Sequence, residues 1–285
     1  MGRRLVHSVA KAGFDASGAA LYNKVRPSYA PEAVEHALKA AMSGLRTEDK
    51  VQHFLEIGAG TGKFTSAVFD SFEASPVAMV KYLAVEPSQG FRNELEKSVV
   101  TPKNVALEVL DGTGESLPIS QSNSIDAVFV AQAWHWMATS ASLREIHRVL
   151  RPDRPLVLVW NSLDIDVPWI RDFEFNVLEK YYIPPDIPRY LTQSWLQVFQ
   201  TEEAKSLYTP LDRWFGGYQR KRVTKQHVWE RVKSISVVSL LDKAKQKQCH
   251  DEVMHLLNTH PQTRDVKDGE IDLVYKSEVA VVRSK

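Results

Sequence analysis

Residues Glu56-Ile57-Gly58-Ala59-Gly60-Thr61-Gly62 set three glycines at alternate positions. A short apolar run, 53–57 (HFLEI), precedes them, and a helical pattern through Phe64, Val68 and Phe72 follows. Glycines at a strand-to-helix turn admit positive φ and let backbone approach a ligand closely. The first helical turn adds N–H groups that have no acceptor within the helix. Glu86 ends the next apolar run, 24 residues beyond Gly62. A carboxylate there can accept both hydroxyls of an adenosyl ribose. The spacing is G-x-G-x-G, not the G-x-G-x-x-G of dinucleotide sites, and Glu56 stands directly before it. A carboxylate at the turn repels a pyrophosphate and attracts an ammonium. The turn therefore suits a ligand with a cationic amino-acid head, which Glu56 is expected to attract directly or through water.

His135 lies between Trp134 and Trp136, just past a fourth apolar run. With an ordinary pKa of about 6.5 it could take a proton from a thiol; the other reading is a hydrogen-bonded structural histidine. His147 reads as a surface or capping residue. The nine histidines are scattered without H-E-x-x-H spacing, so no metal is expected. Cys249 is the single cysteine, which excludes an intrachain disulfide and a CxxC site. Its polar helical surroundings suggest a surface thiol.

These residues need a scaffold. Runs at 53–57, 80–85, 105–110, 125–131 and 156–160 read as strands, separated by helical patterns. The fourth, IDAVFVA, is nearly continuous and should be buried on both faces. Strands alternating with helices predict an α/β fold around a mostly parallel sheet. Residues 160–230 hold 14 of the 27 aromatics, which suggests a helical lid whose rings line an apolar pocket. Runs at 271–275 and 279–282 read as closing strands. The expected organisation is an N-terminal helical cap (1–45), a ligand-binding core (46–160), an aromatic lid (161–260) and C-terminal strands (261–285). Candidate pocket residues are Trp134, Trp136, Trp160, Trp169 and Phe173.

The chain has 285 residues, with 36 Lys plus Arg against 35 Asp plus Glu, a net charge of +1. Near-neutrality argues against holding a nucleic-acid backbone. The cations within Gln219–Lys225 read as a solvated face. No apolar run approaches the ~18 residues of a membrane span. Arg3, Arg4 and Lys11 precede any acid, which faintly resembles a transit peptide, but the stretch lacks a long apolar region. A cytoplasmic monomer acting on a small molecule is expected, with neither membrane nor nucleic acid as partner.

The sequence resembles the class I S-adenosylmethionine-dependent methyltransferases over roughly residues 20–160. The matching pieces are EIGAGTG at 56–62, Glu86-Pro87-Ser88, GESLP at 114–118, the run 125–131, and Arg148-Val149-Leu150-Arg151-Pro152. The resemblance implies a Rossmann-like, seven-stranded, mostly parallel sheet with a helical lid inserted after strand five. It implies S-adenosyl-L-methionine held by Glu56, Gly58, Ala59, Gly60, Gly62, Glu86, Pro87, Thr113, Gly114, Glu115, Ala131 and Gln132. Gly114 replaces the family's usual alanine and Thr113 its usual acid, so Asp111 is an alternative adenine contact. AQAWHW at 131–136, with Tyr22, Arg26 and Tyr29 upstream, resembles a fungal small-molecule branch. That branch includes trans-aconitate and cantharidin-type carboxyl methyltransferases and the gliotoxin dithiol S-methyltransferase. It implies that Tyr22, Arg26 and Tyr29 cap the cofactor's methionyl end. It also implies an acceptor that is a dithiol of the gliotoxin type or, alternatively, a small acid; a silent cofactor-binding regulator is the reading from another class.

Overall fold

A computed structural model describes residues 16–45, 50–74, 79–182, 187–266 and 269–285. The basic stretch with Arg3, Arg4 and Lys11 lies outside them. The elements run α1 (Ala16–Val25), α2 (Pro31–Met42), β1 (Val51–Ile57), α3 (Lys63–Ala74), β2 (Met79–Val85), α4 (Gln89–Ser98), β3 (Val105–Leu110) and β4 (Ala127–Ala131). They continue with α5 (Trp134–Met137), α6 (Ser140–Val149), β5 (Pro155–Leu163), α7 (Pro168–Asp172), α8 (Glu202–Leu207) and β6 (Asp212–Thr224). α9 (Lys225–Lys233), α10 (Ser236–Ser239), α11 (Lys243–Thr259) and β7 (Glu270–Arg283) complete the chain.

One sheet has the order β3-β2-β1-β4-β5-β7-β6. The pairs β1–β2, β1–β4, β2–β3 and β4–β5 are parallel. Side chains alternate faces along a strand, and β4 shows what that does here. Val128 and Val130 join the helical side chains Leu143, Ile146 and Val149 of α6 in one core. Ala127, Phe129 and Ala131 join Phe64 and Val68 of α3, and Val34 and Ala37 of α2, in the other. All five β4 residues are buried, as the uninterrupted apolar run predicts.

The chain divides into two compact units. One comprises residues 28–161, 188–217 and 277–285 and carries both of those cores; we call it the core unit. The other comprises 1–27, 162–187 and 218–276, the peripheral unit. Its centre gathers Trp169, Phe173, Val228, Val232, Cys249, Val253, Leu257, Leu273 and Tyr275. The lid expected at 161–260 is thus not one piece, since 188–217 belong to the core unit. The expected cap at 1–45 divides likewise, with 28–45 in the core unit. Two strands differ from expectation. The tail is one strand, β7, not two, and β6 runs through the stretch expected to be helical.

Cys249 is fully buried on α11, not a surface thiol. Cys249, Val253 and Leu257 recur at four-residue spacing and put one stripe of an otherwise polar helix into the peripheral core. Burial raises the thiol to about 11, with Glu252 adding to the shift.

Candidate active site

The turn after β1 is built on the ends of its neighbours. Gly58 N donates to the Val85 carbonyl at the end of β2 at 2.8 Å. Gly58, Gly60 and Gly62 have φ of +70°, +58° and +81°, where only glycine is free of strain. A Cβ on Gly58 would stand 2.6 Å from Ala133 Cβ, and one on Gly62 2.4 Å from Val99 Cγ2. Both glycines permit close packing against protein. Around the Cβ position of Gly60 there is nothing within 4 Å. The middle glycine therefore faces open space, where a ligand can reach the backbone. Ala59, between them, is buried on the α4 side of the turn.

Glu86 borders that space. Its carboxylate accepts from Gly60 N at 3.0 Å and from Ser88 N at 2.8 Å. Burial pushes it up to about 7, against the pull of those two amides and of Arg92. Arg92 also donates to the Glu86 carbonyl and pairs with Asp111 at 3.3 Å. An open glycine backbone beside a half-satisfied buried carboxylate fits an adenosyl ribose. Pro87 follows, half-buried, and Ser88 caps α4.

Glu56 differs from expectation. The alternation of β1 turns its side chain to the face covered by α3, where it is 1% exposed. Thr65 Oγ1 donates to its carboxylate at 2.7 Å and Tyr82 OH at 2.8 Å. It braces the turn from beneath. Burial pushes it, too, up to about 7. A carboxyl raised in the folded state holds more protons folded than unfolded between its ordinary value and about 7. The stability this confers is complete below the ordinary value and is lost as pH rises through about 7. Glu56→Gln is expected to remove roughly 3 kcal/mol of that pH dependence. Urea melts at about pH 5 and about pH 8 check it: the variant's stability should fall less between them than the wild type's, and equal falls would contradict the assignment.

The other expected contacts fall into place unevenly. Thr113 and Ser116 exchange backbone hydrogen bonds at 3.1 Å, closing the loop after β3. A Cβ on Gly114 would stand 2.7 Å from Met137 Sδ, so the loop packs closely against α5. Glu115 lies in this tight loop. Past Ala131, Gln132 adopts a left-handed φ of +58° and its Nε2 donates to the Asn161 carbonyl at 2.5 Å. Asn161 Nδ2 in turn donates to the Ser28 carbonyl at 2.8 Å, while its buried Oδ1 has no hydrogen-bond partner. Tyr29 packs edge-on against Phe64 of α3, centroids 5.1 Å apart. Tyr22 and Arg26 belong to the peripheral unit, where Arg26 is held by Ser234. The expected trio is therefore divided between the units.

Trp134 and Trp160 are fully buried in the core unit, and Trp136 is half-buried. Trp160 packs at a tilt against Trp195 and Tyr190, with ring centroids 4.3 Å and 5.3 Å away. Trp169 and Phe173 lie together in the peripheral core. Sequence reasoning missed Asn161, a polar break in an otherwise apolar strand. It also missed Glu278, 1% exposed, which accepts from Tyr190 OH at 2.6 Å and Arg213 Nε at 2.5 Å.

His135 Nδ1 accepts from Trp160 Nε1 at 3.4 Å, leaving Nε2 as the protonated nitrogen. Burial lowers the imidazole to about 3. It is neutral near pH 7, and its basicity is lowered from the ordinary value expected. Among the described residues no group of three or more His, Cys, Asp or Glu gathers to hold a metal. No described helix is long and apolar enough to cross a membrane.

Sheet order, glycine turn and acidic strand end together resemble those of the class I, S-adenosylmethionine-dependent methyltransferases. Residues 55–158 match the family model described as Methyltransferase domain. An uncharacterised methyltransferase of Mycobacterium tuberculosis is 37% identical over 156 residues, 55% of each chain. The match thus spans about half the length of that relative. An uncharacterised methyltransferase-like protein of Schizosaccharomyces pombe is 27% identical over 229 residues, 80% of this chain and 81% of its own. A putative type II methyltransferase from Anaeromyxobacter dehalogenans superposes with a TM-score of 0.57 over 91% of this chain and 97% of its own, at 18% identity. That likeness speaks for the fold.

Proposed function

We propose that the chain transfers a methyl group from S-adenosylmethionine to a carboxylate oxygen of a small organic acid. The observation that carries the choice of acceptor is His135, neutral and engaged by Trp160. S-adenosylmethionine, when bound, supplies a methyl group on a sulfonium, already electrophilic. The protein's tasks are then alignment and exclusion of water. Gly60 and Glu86 would hold the adenosyl ribose, and Asn161 Oδ1 offers an acceptor for the ammonium. A carboxylate is nucleophilic as it arrives. A thiol of pKa about 8.5 is only a few per cent ionised near neutrality, so the gliotoxin-type dithiol implied by resemblance stands second. A silent regulator would need no intact cradle, and Gly58, Gly60, Gly62 and Glu86 are all in place. The single cysteine and the near-neutral charge support a cytoplasmic setting and a small-molecule partner.

Incubation with methyl-labelled cofactor and a panel of small acids and dithiols tests this. A base-labile product is the expected ester; a base-stable thioether would overturn the carboxylate assignment. His135→Ala is expected to slow transfer at most about tenfold, and equally at about pH 6 and about pH 8, since the imidazole stays neutral across that range. A loss that deepens at the lower pH would reinstate His135 as a base.

A further inference from the structure

α5 begins just past the end of β4, and His135 on it is half-buried. Its Nδ1 takes the indole N–H of Trp160, on β5, at 3.4 Å. An indole nitrogen only donates, so Nδ1 is bare and Nε2 carries the hydrogen. Among the described residues Nε2–H has no acceptor. Burial keeps the imidazole neutral near pH 7, so this N–H is a standing donor. The segment that carries it is held at both ends. Gln132 takes a φ of +58°, a region that L-residues rarely adopt, and its Nε2 ties the end of β4 to the Asn161 carbonyl on β5 at 2.5 Å. Ala133 Cβ lies where a Cβ on Gly58 would come within 2.6 Å of it, so the approach to His135 rests directly on the glycine turn. All these residues belong to the core unit.

Sheet order says what this donor can meet. Glu86 follows β2 and Asn161 lies on β5, with β1 and β4 between them. A ligand with its ribose on Glu86 and its ammonium on Asn161 would span the ends of β1 and β4, and His135 follows β4. The rings around it are rich in donors. The N–H groups of Trp134, His135, Trp160 and Trp195 find one acceptor between them among the described residues, His135 Nδ1. Unmet buried donors cost free energy, and such a surplus favours a ligand that accepts over one that donates. We propose that His135 is a substrate-positioning donor, its Nε2–H holding one oxygen of the acceptor carboxylate, and that Trp160 fixes its tautomer. This rests on the reading of the acceptor as a carboxylate. No proton moves: Nε2 keeps its hydrogen, the other carboxylate oxygen forms the C–O bond, and the C–S bond that breaks leaves its pair on sulfur.

Nitrogen-15 NMR of the labelled full chain at about pH 7 reads the tautomer, with His135→Ala assigning the signal. The wild-type ring should carry its hydrogen on Nε2 alone, and the ring in Trp160→Phe on either nitrogen. A wild-type ring protonated on Nδ1, or an unchanged ring in Trp160→Phe, would overturn the tautomer lock. Calorimetric titration with benzoate and with succinate, in the presence of S-adenosylhomocysteine, reads the contact. At least one acid is expected to bind, His135→Ala to lose about tenfold, and His135→Gln, whose amide nitrogen reaches the Nε2 position, to recover most of the loss. Should His135→Ala fail to fold, His135→Asn, which places its amide at Nδ1 instead, takes its place with the same loss expected. Neither acid binding, full affinity without the donor, or no recovery in His135→Gln overturns the role. In turnover the loss should fall on KM more than on kcat, because the contact is made before the methyl group transfers as well as during it. A thioether product would remove the carboxylate reading and this role together, whereas an ester formed with no recovery in His135→Gln would remove this role alone.

Discussion

Gly60→Asp is expected to abolish cofactor binding while the protein keeps its fold. The two halves of that result have separate causes. A Cβ at Gly60 meets nothing within 4 Å, so the substitution displaces no neighbour. The φ of +58° is strained for an L-residue, by about 1–2 kcal/mol, and aspartate tolerates that region better than most. The melting temperature should therefore fall only a few degrees. The new carboxylate, however, stands in the open face of the turn, beside Glu86, whose Oε2 is tied to Gly60 N. It fills the space a ribose would use and adds a like charge to the carboxylate that receives it. Affinity for S-adenosylhomocysteine should fall by ~100-fold or more. Wild-type affinity in a folded variant would remove the cradle from Gly60. The same experiment at Gly62 would not separate binding from folding, since a Cβ there strikes Val99 and Leu95.

Glu86→Gln is expected to weaken the same ligand by roughly 30- to 100-fold above neutrality. Ribose hydroxyls donate, and an ionised carboxylate accepts them better than an amide oxygen. The pH dependence identifies the residue. Burial raises Glu86 to about 7, so below that value the free protein increasingly carries the protonated acid, which accepts poorly. Wild-type affinity should decline as pH falls through about 7, whereas the amide variant should show no such decline. Titrations at about pH 6 and about pH 8 compare the two slopes. Parallel slopes would mean that another group titrates on binding.

Much of the scaffold was legible because its signals are local. The run at 125–131 is apolar but for Asp126, and the strand it predicts is buried on both faces. Its first two residues lie outside β4 because they have other partners. Ile125 bridges Leu150, and Asp126 accepts from His53 N and Arg151. The glycine turn was legible as well, since positive φ leaves few alternatives to glycine. The division of labour within it was not, because only the packed neighbours Ala133 and Val99 distinguish Gly58 and Gly62 from Gly60.

What escaped depends on tertiary partners. β6 contains Gly216 and Gly217 and the cations Arg220, Lys221 and Arg222, and it buries almost nothing but Val223. It lies at the end of the sheet order, where charge protects an edge and erases apolar alternation. β7 looked interrupted at Ser277 and Glu278. It runs through because Glu278 finds Arg213 and Tyr190, far away in sequence. The bracing role of Glu56 was hidden too, since its charge suggested a ligand and only strand alternation sends it to Thr65 and Tyr82. His135 kept its place but lost its basicity to burial, which no local pattern reports.

The central claim is that the turn from Gly58 to Gly62, with Glu86, is an S-adenosylmethionine cradle. Isothermal titration of the full chain with S-adenosylmethionine at about pH 8, where Glu86 is ionised, tests it most directly. One binding event per chain with micromolar affinity is expected, and no heat of binding at high micromolar cofactor would contradict it.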